Sequence, residues 1–352
     1  MRVFHRQEIK EEANVGAARR AVHRYASRLG FGEDALAEIA IVVQEIGTNA
    51  ARYATTGGCL HWTTTLGGTP PGLELFYCDK GPGIYDLDAA FRDGVSTGGS
   101  LGTGFGAMRR LLDEFDAYTT VKGTTRRLVA PQRRTTYGTA LVGRKWPTPR
   151  AGSAPEGGPA GGRAQIGVWS RPRPGEEANG DAYFMAEHGG ETLLAVVDGL
   201  GHGRGARDAS SAALATLEGW AGEPLEDVVP AVHDALRTTR GAVMGAVVID
   251  RGRGTFHYAG VGNVEVRVLG SADPARPVPA NGTLGARLSQ VRVWPHRWTE
   301  GSTLVLASDG ISASWDPSSY PGILARSPQL LAGVLMRDFG RNSDDATVLV
   351  YR

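Results

Sequence analysis

The chain of 352 residues carries 38 Lys and Arg against 37 Asp and Glu, for a formal net charge of +1, with 41% hydrophobic and 21% charged residues. That length exceeds one hydrophobic core and suits two domains. The composition excludes a disordered chain, and near-neutrality excludes a dedicated nucleic-acid binder, which needs a positive field to gather phosphates. No run approaches the ~18 apolar residues that cross a bilayer, and residues 1–8 lack an apolar signal core, so the expected setting is cytoplasmic, with no membrane partner. Cys59 and Cys78 are the only cysteines, too few for a disulfide framework and without metal-ligand spacing, so both read as buried or half-buried thiols.

Residues 11–29 and 34–54 carry apolar side chains at helical spacing, punctuated by Gly30 and Gly32, which predicts two opening helices. On the second, Glu45 and Asn49 are four apart and share a face beside Ile41, Val42 and Ile46. A carboxylate beside an amide oxygen suits base and hard-ligand chemistry, and on this helix alone a solvated polar face explains the pair equally well. Residues 73–79 then alternate as a strand into Asp79-Lys80-Gly81-Pro82-Gly83-Ile84. Residues 96–106, Ser-Thr-Gly-Gly-Ser-Leu-Gly-Thr-Gly-Phe-Gly, open a helix expected over 107–115. Glycine-rich backbone running into a helix N-terminus offers free N–H groups and a favourable dipole to phosphates.

The Glu-xxx-Asn helix, the Asp-xx-Pro-Gly turn and the glycine-rich segment together resemble the ATP-binding GHKL (Bergerat) fold. More narrowly they are similar to the RsbT-like anti-sigma-factor serine kinases, over about residues 8–146. The resemblance implies ATP and Mg²⁺ as cofactors. Asn49 would ligate the Mg²⁺, Glu45 would act as base toward a serine or threonine hydroxyl, and Asp79 would accept from the adenine amino group. Gly81, Gly83, Gly102, Gly104 and Gly106 would shape the pocket and its lid. Lys80 departs from the asparagine common in the family. Two Gly-Thr pairs could close the site, Gly123-Thr124 and Gly138-Thr139. The second is preferred because residues 140–146 then form the last strand, which makes Thr139 the contact and residues 121–137 an insertion. Arg126, Arg127, Arg133 and Arg134 in that insertion read as a solvated loop rather than an anion site.

Residues 147–162 are rich in Pro and Gly with no apolar periodicity and read as a linker spanning on the order of 20 Å, across which the two halves can move. The expected organisation is therefore 1–146, linker 147–162, and 163–352.

Beyond the linker, Leu193-Leu194-Ala195-Val196-Val197-Asp198-Gly199-Leu200-Gly201-His202-Gly203 is an apolar run that breaks at one acidic residue and a glycine loop. A carboxylate delivered by a buried strand is costly unless a cation meets it, and a divalent metal is the common compensation. Residues 304–310 repeat the design, ending in Asp309-Gly310. Asp344-Asp345 precede another apolar run, and Asp181 lies upstream. Singly, an Asp-Gly pair is a β-turn signal; several carboxylates at strand ends suit Mg²⁺ or Mn²⁺. Helices are expected over 205–218 and 225–238 and strands over 242–250 and 255–259, while Trp294, Trp298 and Trp315 read as packing residues.

Gly180-Asp181-Ala182-Tyr183, the Asp198 motif, Ala259-Gly260-Val261-Gly262-Asn263, Ser308-Asp309-Gly310 and Asp344-Asp345-Ala346-Thr347 come in the order of the SpoIIE-type, RsbX-like branch of the metal-dependent (PPM) serine/threonine phosphatases. This resemblance implies an α-β-β-α sandwich holding two Mn²⁺ or Mg²⁺ ions that activate water against phosphoserine or phosphothreonine. Asp198 would bridge both ions, Gly199 would offer its carbonyl, and Asp309 and Asp344 would complete one shell. Asp181 would help position the other ion directly or through water, with Asp345 in the outer shell, two roles that the sequence alone leaves interchangeable. His202 reads as a loop histidine bonded to the glycine turn in preference to a general acid, since the metals already acidify water.

The two resemblances imply an α/β (α+β) two-domain regulator of bacterial partner switching, a kinase or anti-sigma-type module joined to an opposing phosphatase. Expected partners are STAS-domain antagonist proteins of the stressosome type, and a sigma factor or upstream regulator, with no nucleic acid. Two other readings stay open, a phosphatase with an inactive ATP-sensing module and a non-catalytic scaffold.

Overall fold

Val15, Ala18, Val22 and Ala26 recur at helical spacing along α1 (Glu12–Arg28) and are buried, as are Leu36, Ile39, Val42, Val43, Ile46 and Ala50 along α2 (Glu33–Tyr53). At the start of α1, Asn14 Oδ1 accepts from the amides of Lys10 (3.1 Å) and Glu11 (3.3 Å), fixing the entry of the chain. The structure is a computed structural model that describes residues 2–54, 57–66, 69–91, 104–121, 137–148, 166–271, 273–288 and 290–352. Nearly all of the expected linker, residues 92–103 with Gly102, and the arginine-rich residues 122–136 lie outside the described residues.

The chain divides into two units, one of Arg2–Arg163 with Asp316–Val334 and one of Ala164–Trp315 with Leu335–Arg352. In the first, β1 (His5–Ile9), β2 (Gly58–Thr64), β3 (Leu73–Asp79), β4 (Glu114–Thr120) and β5 (Gly138–Lys145) form an antiparallel sheet in the order β1-β2-β3-β5-β4. Leu73, Leu75 and Tyr77 alternate onto the face that α1 and α2 cover, each large side chain contributing about 1.5–3 kcal/mol by burial. Two short helices, α3 (Leu87–Ala90) and α4 (Gly104–Leu111), follow β3. The helix expected over 107–115 stops at Leu111, and Glu114 and Phe115 begin β4. Asp113 is drawn to the sheet, donating its amide to Arg144 O (2.9 Å) and accepting Trp146 N with its carboxylate (2.8 Å). Cys59 and Cys78 are half-buried and stand opposite each other on β2 and β3. Within the same unit Asp116 accepts the amide of Ser327 at 2.7 Å.

The second unit contains two antiparallel sheets. Its strands are β6 (Ile166–Arg171), β7 (Asp181–His188), β8 (Glu191–Gly199), β9 (Ala242–Asp250), β10 (Thr255–Val261), β11 (Glu265–Leu269), β12 (Trp294–Arg297), β13 (Thr303–Ala307) and β14 (Ala346–Tyr351). They are ordered β12-β10-β9-β8-β7 and β11-β13-β14-β6. Helices α5 (Arg204–Leu217) and α6 (Leu225–Ala235) cover the first sheet, and α7 (Pro328–Phe339) precedes the last strand. The apolar run of β8 is unbroken because both its faces are buried. Leu193, Ala195 and Val197 meet α5 and α6, while Leu194 and Val196 are buried on the side of β13 and β14. Trp298 and Trp315 pack as expected, but Trp294, on edge strand β12, is 48% exposed. Among the described residues no helix is long and apolar enough to cross a membrane.

Candidate active sites

The register of β7 with β8 sets Asp181 directly opposite Asp198. The other acidic residues arrive from the second sheet. Asp309 lies just past β13 and Asp344-Asp345 just before β14. The Asp309-Gly310 turn lies so close on Asp345 that a Cβ at Gly310 would fall 1.8 Å from Asp345 O. Gly199 is equally constrained, since a Cβ there would meet Ala206 O at 2.1 Å, so the glycine lets α5 approach the end of β8.

Asp198, Asp309 and Asp344 line one open cleft of about 610 Å³ together with Arg173, His202 and Asn263. The other two carboxylates are held by the protein. Asp181 Oδ2 accepts Ser308 Oγ–H at 2.6 Å, and Ser308 Oγ in turn accepts Thr347 N–H at 2.9 Å. Asp345 accepts the amides of Arg173 (2.7 Å) and Gly180 (2.9 Å). Asn263 donates to Asp309 at 2.8 Å. Burial first, then repulsion from Asp181, Asp309, Asp344 and Asp345, pushes Asp198 up to about 9. Burial also raises Asp181, Asp309 and Asp345. A divalent cation relieves such repulsion, and the donor set is hard oxygen, as Mg²⁺ or Mn²⁺ requires. Among the described residues no three His, Cys, Asp or Glu side chains are already drawn into a ligand cluster. The set fits such ions by its chemistry, with Asp198, Asp309 and Asp344 as the side chains that face the cleft.

Arg173, Asn263 and Ser308 were not singled out for chemistry from the sequence. Arg173 brings a cation to a cleft of carboxylates, where it can meet a phosphate. A loop arginine carries no local signature, whereas Ser308 and Asn263 stand inside the Ser308-Asp309-Gly310 and Ala259-Gly260-Val261-Gly262-Asn263 motifs.

In the first unit, a Cβ at Gly104, the first residue of α4, would lie 2.9 Å from Glu45 Oε2 and 3.4 Å from Asn49 Nδ2. The Glu-xxx-Asn pair of α2 therefore stands at the N-terminus of the helix that the glycine-rich segment opens. Gly106 is buried in that helix. At the end of β3, Asp79 Oδ1 accepts the amides of Gly81 (2.7 Å) and Thr139 (3.2 Å), so the turn and the closing Gly138-Thr139 pair converge on one carboxylate. Gly138 has φ +134° and a Cβ there would fall 2.1 Å from Asp79 O; Gly83 has φ +80° and lies against Thr120 O. Lys80 is exposed.

Residues 10–130 match the histidine kinase-like ATPase domain family and residues 188–352 match the stage II sporulation protein E (SpoIIE) family. The serine/threonine-protein kinase RsbT of Bacillus subtilis (strain 168) is 36% identical over 108 residues, 30% of this chain and 80% of RsbT. The chain joins an RsbT-like kinase domain to a SpoIIE phosphatase domain. The phosphoserine phosphatase RsbX of the same organism is 28% identical to this chain over 146 residues, 41% of the chain and 73% of RsbX. A solved chain described as "The bacterial stressosome: a modular system that has been adapted to control secondary messenger signaling" is 32% identical with a TM-score of 0.52, covering 54% of this chain and all of that one, 100%. The two domains thus belong to opposed enzyme classes of the partner-switching type, a serine/threonine kinase and a serine/threonine phosphatase.

Proposed function

We propose that this chain writes and erases a phosphate mark on small antagonist proteins of the STAS class, the kinase domain adding phosphate from ATP and the SpoIIE domain removing it. The observation that carries the phosphatase half is the convergence of Asp198, Asp309 and Asp344 on one cleft with Arg173 at its wall. Bound there, two Mn²⁺ or Mg²⁺ ions supply Lewis-acid polarisation of the phosphate and an acidified water. Asp198, Asp309, Asp344 and the Gly199 carbonyl would hold them. Asp181, fixed by Ser308, and Asp345, fixed by two amides, keep the surrounding charge in place. The Arg173 guanidinium takes the phosphate oxygens and offsets their charge.

In the kinase half, Asp79 accepts from the adenine amino group and Asn49 holds Mg²⁺ through its amide oxygen. The N-terminus of α4 meets the phosphates, and Glu45 takes the proton of the attacking hydroxyl. The domain boundaries 1–146 and 163–352, with a linker between, belong to the same proposal. So do a stressosome-type assembly and a sigma factor or upstream regulator as partners of the antagonist.

The test uses Asp198→Ala in the full chain, so that the phosphatase cannot erase the product, mixed with Mg²⁺, ATP and a STAS-domain protein. The partner's intact mass is expected to gain one phosphate, and to lose that gain when Glu45→Ala is added. ATP binding without any mass gain would reduce the kinase half to a nucleotide-dependent binding module.

A further inference from the structure

Three arginines reach the phosphatase cleft from three separate loops. Arg173 lies in its wall, between β6 and β7. Arg240 comes from the loop between α6 and β9, which is tied to the cleft by the bond from Leu200 N–H to Gly241 O at 3.0 Å. Its guanidinium lies across the glycine turn. A Cβ at cleft-lining Gly201 would fall 3.4 Å from Nη1, and one at Gly205 only 2.5 Å from Nε, so these two glycines leave the space it occupies. Arg341 follows α7, and its amide donates to Gly310 O at 2.7 Å. Burial first, then Asp344, raises the Asp309 carboxyl, and the charge of Arg341 is close enough to oppose that rise. None of the three arginines makes a salt bridge among the described residues, whereas Arg237, Arg253 and Arg267 of the same unit each hold a carboxylate at 2.7–3.0 Å. Arg240 and Arg341 are exposed, and Glu176, the carboxylate beside Gly203, is engaged by His202 Nδ1 at 2.7 Å.

Guanidinium groups without a carboxylate of their own, gathered at one cleft, call for an account. Neutralising the acidic centre is one, and Arg341 does some of that for Asp309. The carboxylates that face the cleft suit divalent ions, however, and ions bound there leave the charge of the arginines unspent. Arg173 meets the phosphate. The other two then face what surrounds the phosphorylated residue, where a guanidinium gains from a carboxylate and loses from an ammonium.

We propose that Arg240 and Arg341 dock an acidic segment of the partner protein, so that the phosphatase selects a phosphoserine with Asp or Glu among its neighbours. In this role neither residue touches the reacting phosphate. Their charges act on encounter and on KM, and because both side chains are exposed, salt weakens them.

The docking role rests on the phosphatase reading, and its test separates the two. In the full chain with Mn²⁺, kcat and KM are measured at low and high salt on p-nitrophenyl phosphate and on two phosphoserine peptides that differ only in carrying Glu or Lys around the phosphoserine. The same two peptides, made with a non-hydrolysable phosphonate and a fluorophore, report binding by anisotropy. The parent is expected to favour the Glu peptide about tenfold or more at low salt, in kcat/KM and in affinity, and to lose most of that preference at high salt. Arg240→Gln and Arg341→Gln should each reduce the preference about threefold, through KM with kcat held, and Arg240→Glu should reduce it further. Turnover of the aryl phosphate should stay within about twofold in every variant, which shows each to be folded and metal-loaded. A parent without preference, a preference that survives both Gln substitutions, or an equal loss on the aryl phosphate would overturn the docking role. Failure of the parent to hydrolyse any of the three substrates would sink the phosphatase reading instead, and the phosphonate peptides would still decide the docking role.

Discussion

Asp181 and Asp198 face each other across adjacent antiparallel strands, and the hydroxyl of Ser308 from the opposite sheet holds Asp181 at 2.6 Å. Two like charges opposite one another in a sheet are unfavourable, so the strand pair tolerates them only with help. Ser308 supplies part of that help and also accepts the amide of Thr347. Ser308→Ala leaves a buried amide without an acceptor and Asp181 without its donor. The expected cost is about 1–3 kcal/mol in thermal unfolding of the metal-free chain. Mn²⁺ affinity, read by calorimetry, should weaken about 10- to 100-fold. Unchanged metal affinity would show that Asp181 needs no support from the second sheet.

Glu45 and Asn49 both reach the start of α4 but have different assigned tasks. Asn49→Ala should weaken Mg²⁺-ATP binding about tenfold or more. Glu45→Ala should leave ATP affinity nearly intact while phosphoryl transfer falls at least about 100-fold. Fluorescent-nucleotide titration beside a transfer assay resolves the two; equal effects on binding would refute the division.

Gly138 occupies a conformation that side chains avoid and presses on the Asp79 carbonyl. Gly138→Ala is expected to destabilise the chain by about 1–3 kcal/mol and to loosen the nucleotide pocket in step, because the same residue delivers Thr139 N–H to Asp79. An alanine variant with full ATP affinity would show that this pair does not close the site.

His61 supplies a pH dependence. Burial, with Arg6 opposite on β1, holds its imidazole far below the ordinary 6.5, at about 3. The unfolded chain takes up a proton between those values that the folded chain refuses. Stability is therefore complete above 6.5 and lost as the pH falls toward 3. By about pH 5 the loss should be on the order of 2 kcal/mol, and His61→Gln should flatten the melting temperature between about pH 7.5 and 5. Parallel curves for the two proteins would count against a buried neutral His61.

Much of this was legible in the sequence because the carboxylates sit at ends of strands whose apolar runs are themselves readable. β9 spans the residues expected for it, and the paired helices α1 and α2 lie within a residue of their apolar stripes. The bonds of the supporting groups were not legible. Ser308 and Asn263 stand in readable motifs, but their partners, like the place of Arg173, follow only once β7 pairs β8 and the second sheet closes over them, contacts between residues as far apart as 181 and 308. The same reason explains the end of α4. Local propensity continues the helix through Phe115, but Asp113 bonds to Arg144 and Trp146, a tertiary pull that no window of neighbours contains.

Arg173 is placed in its cleft by a loop in which its own backbone amide bonds Asp345 at 2.7 Å. Any residue other than proline would keep this bond. The charge that greets a phosphoester is thus an exchangeable part on a fixed mount. A change of that one side chain alters how the cleft meets a phosphate and leaves the acidic scaffold beneath it as it is.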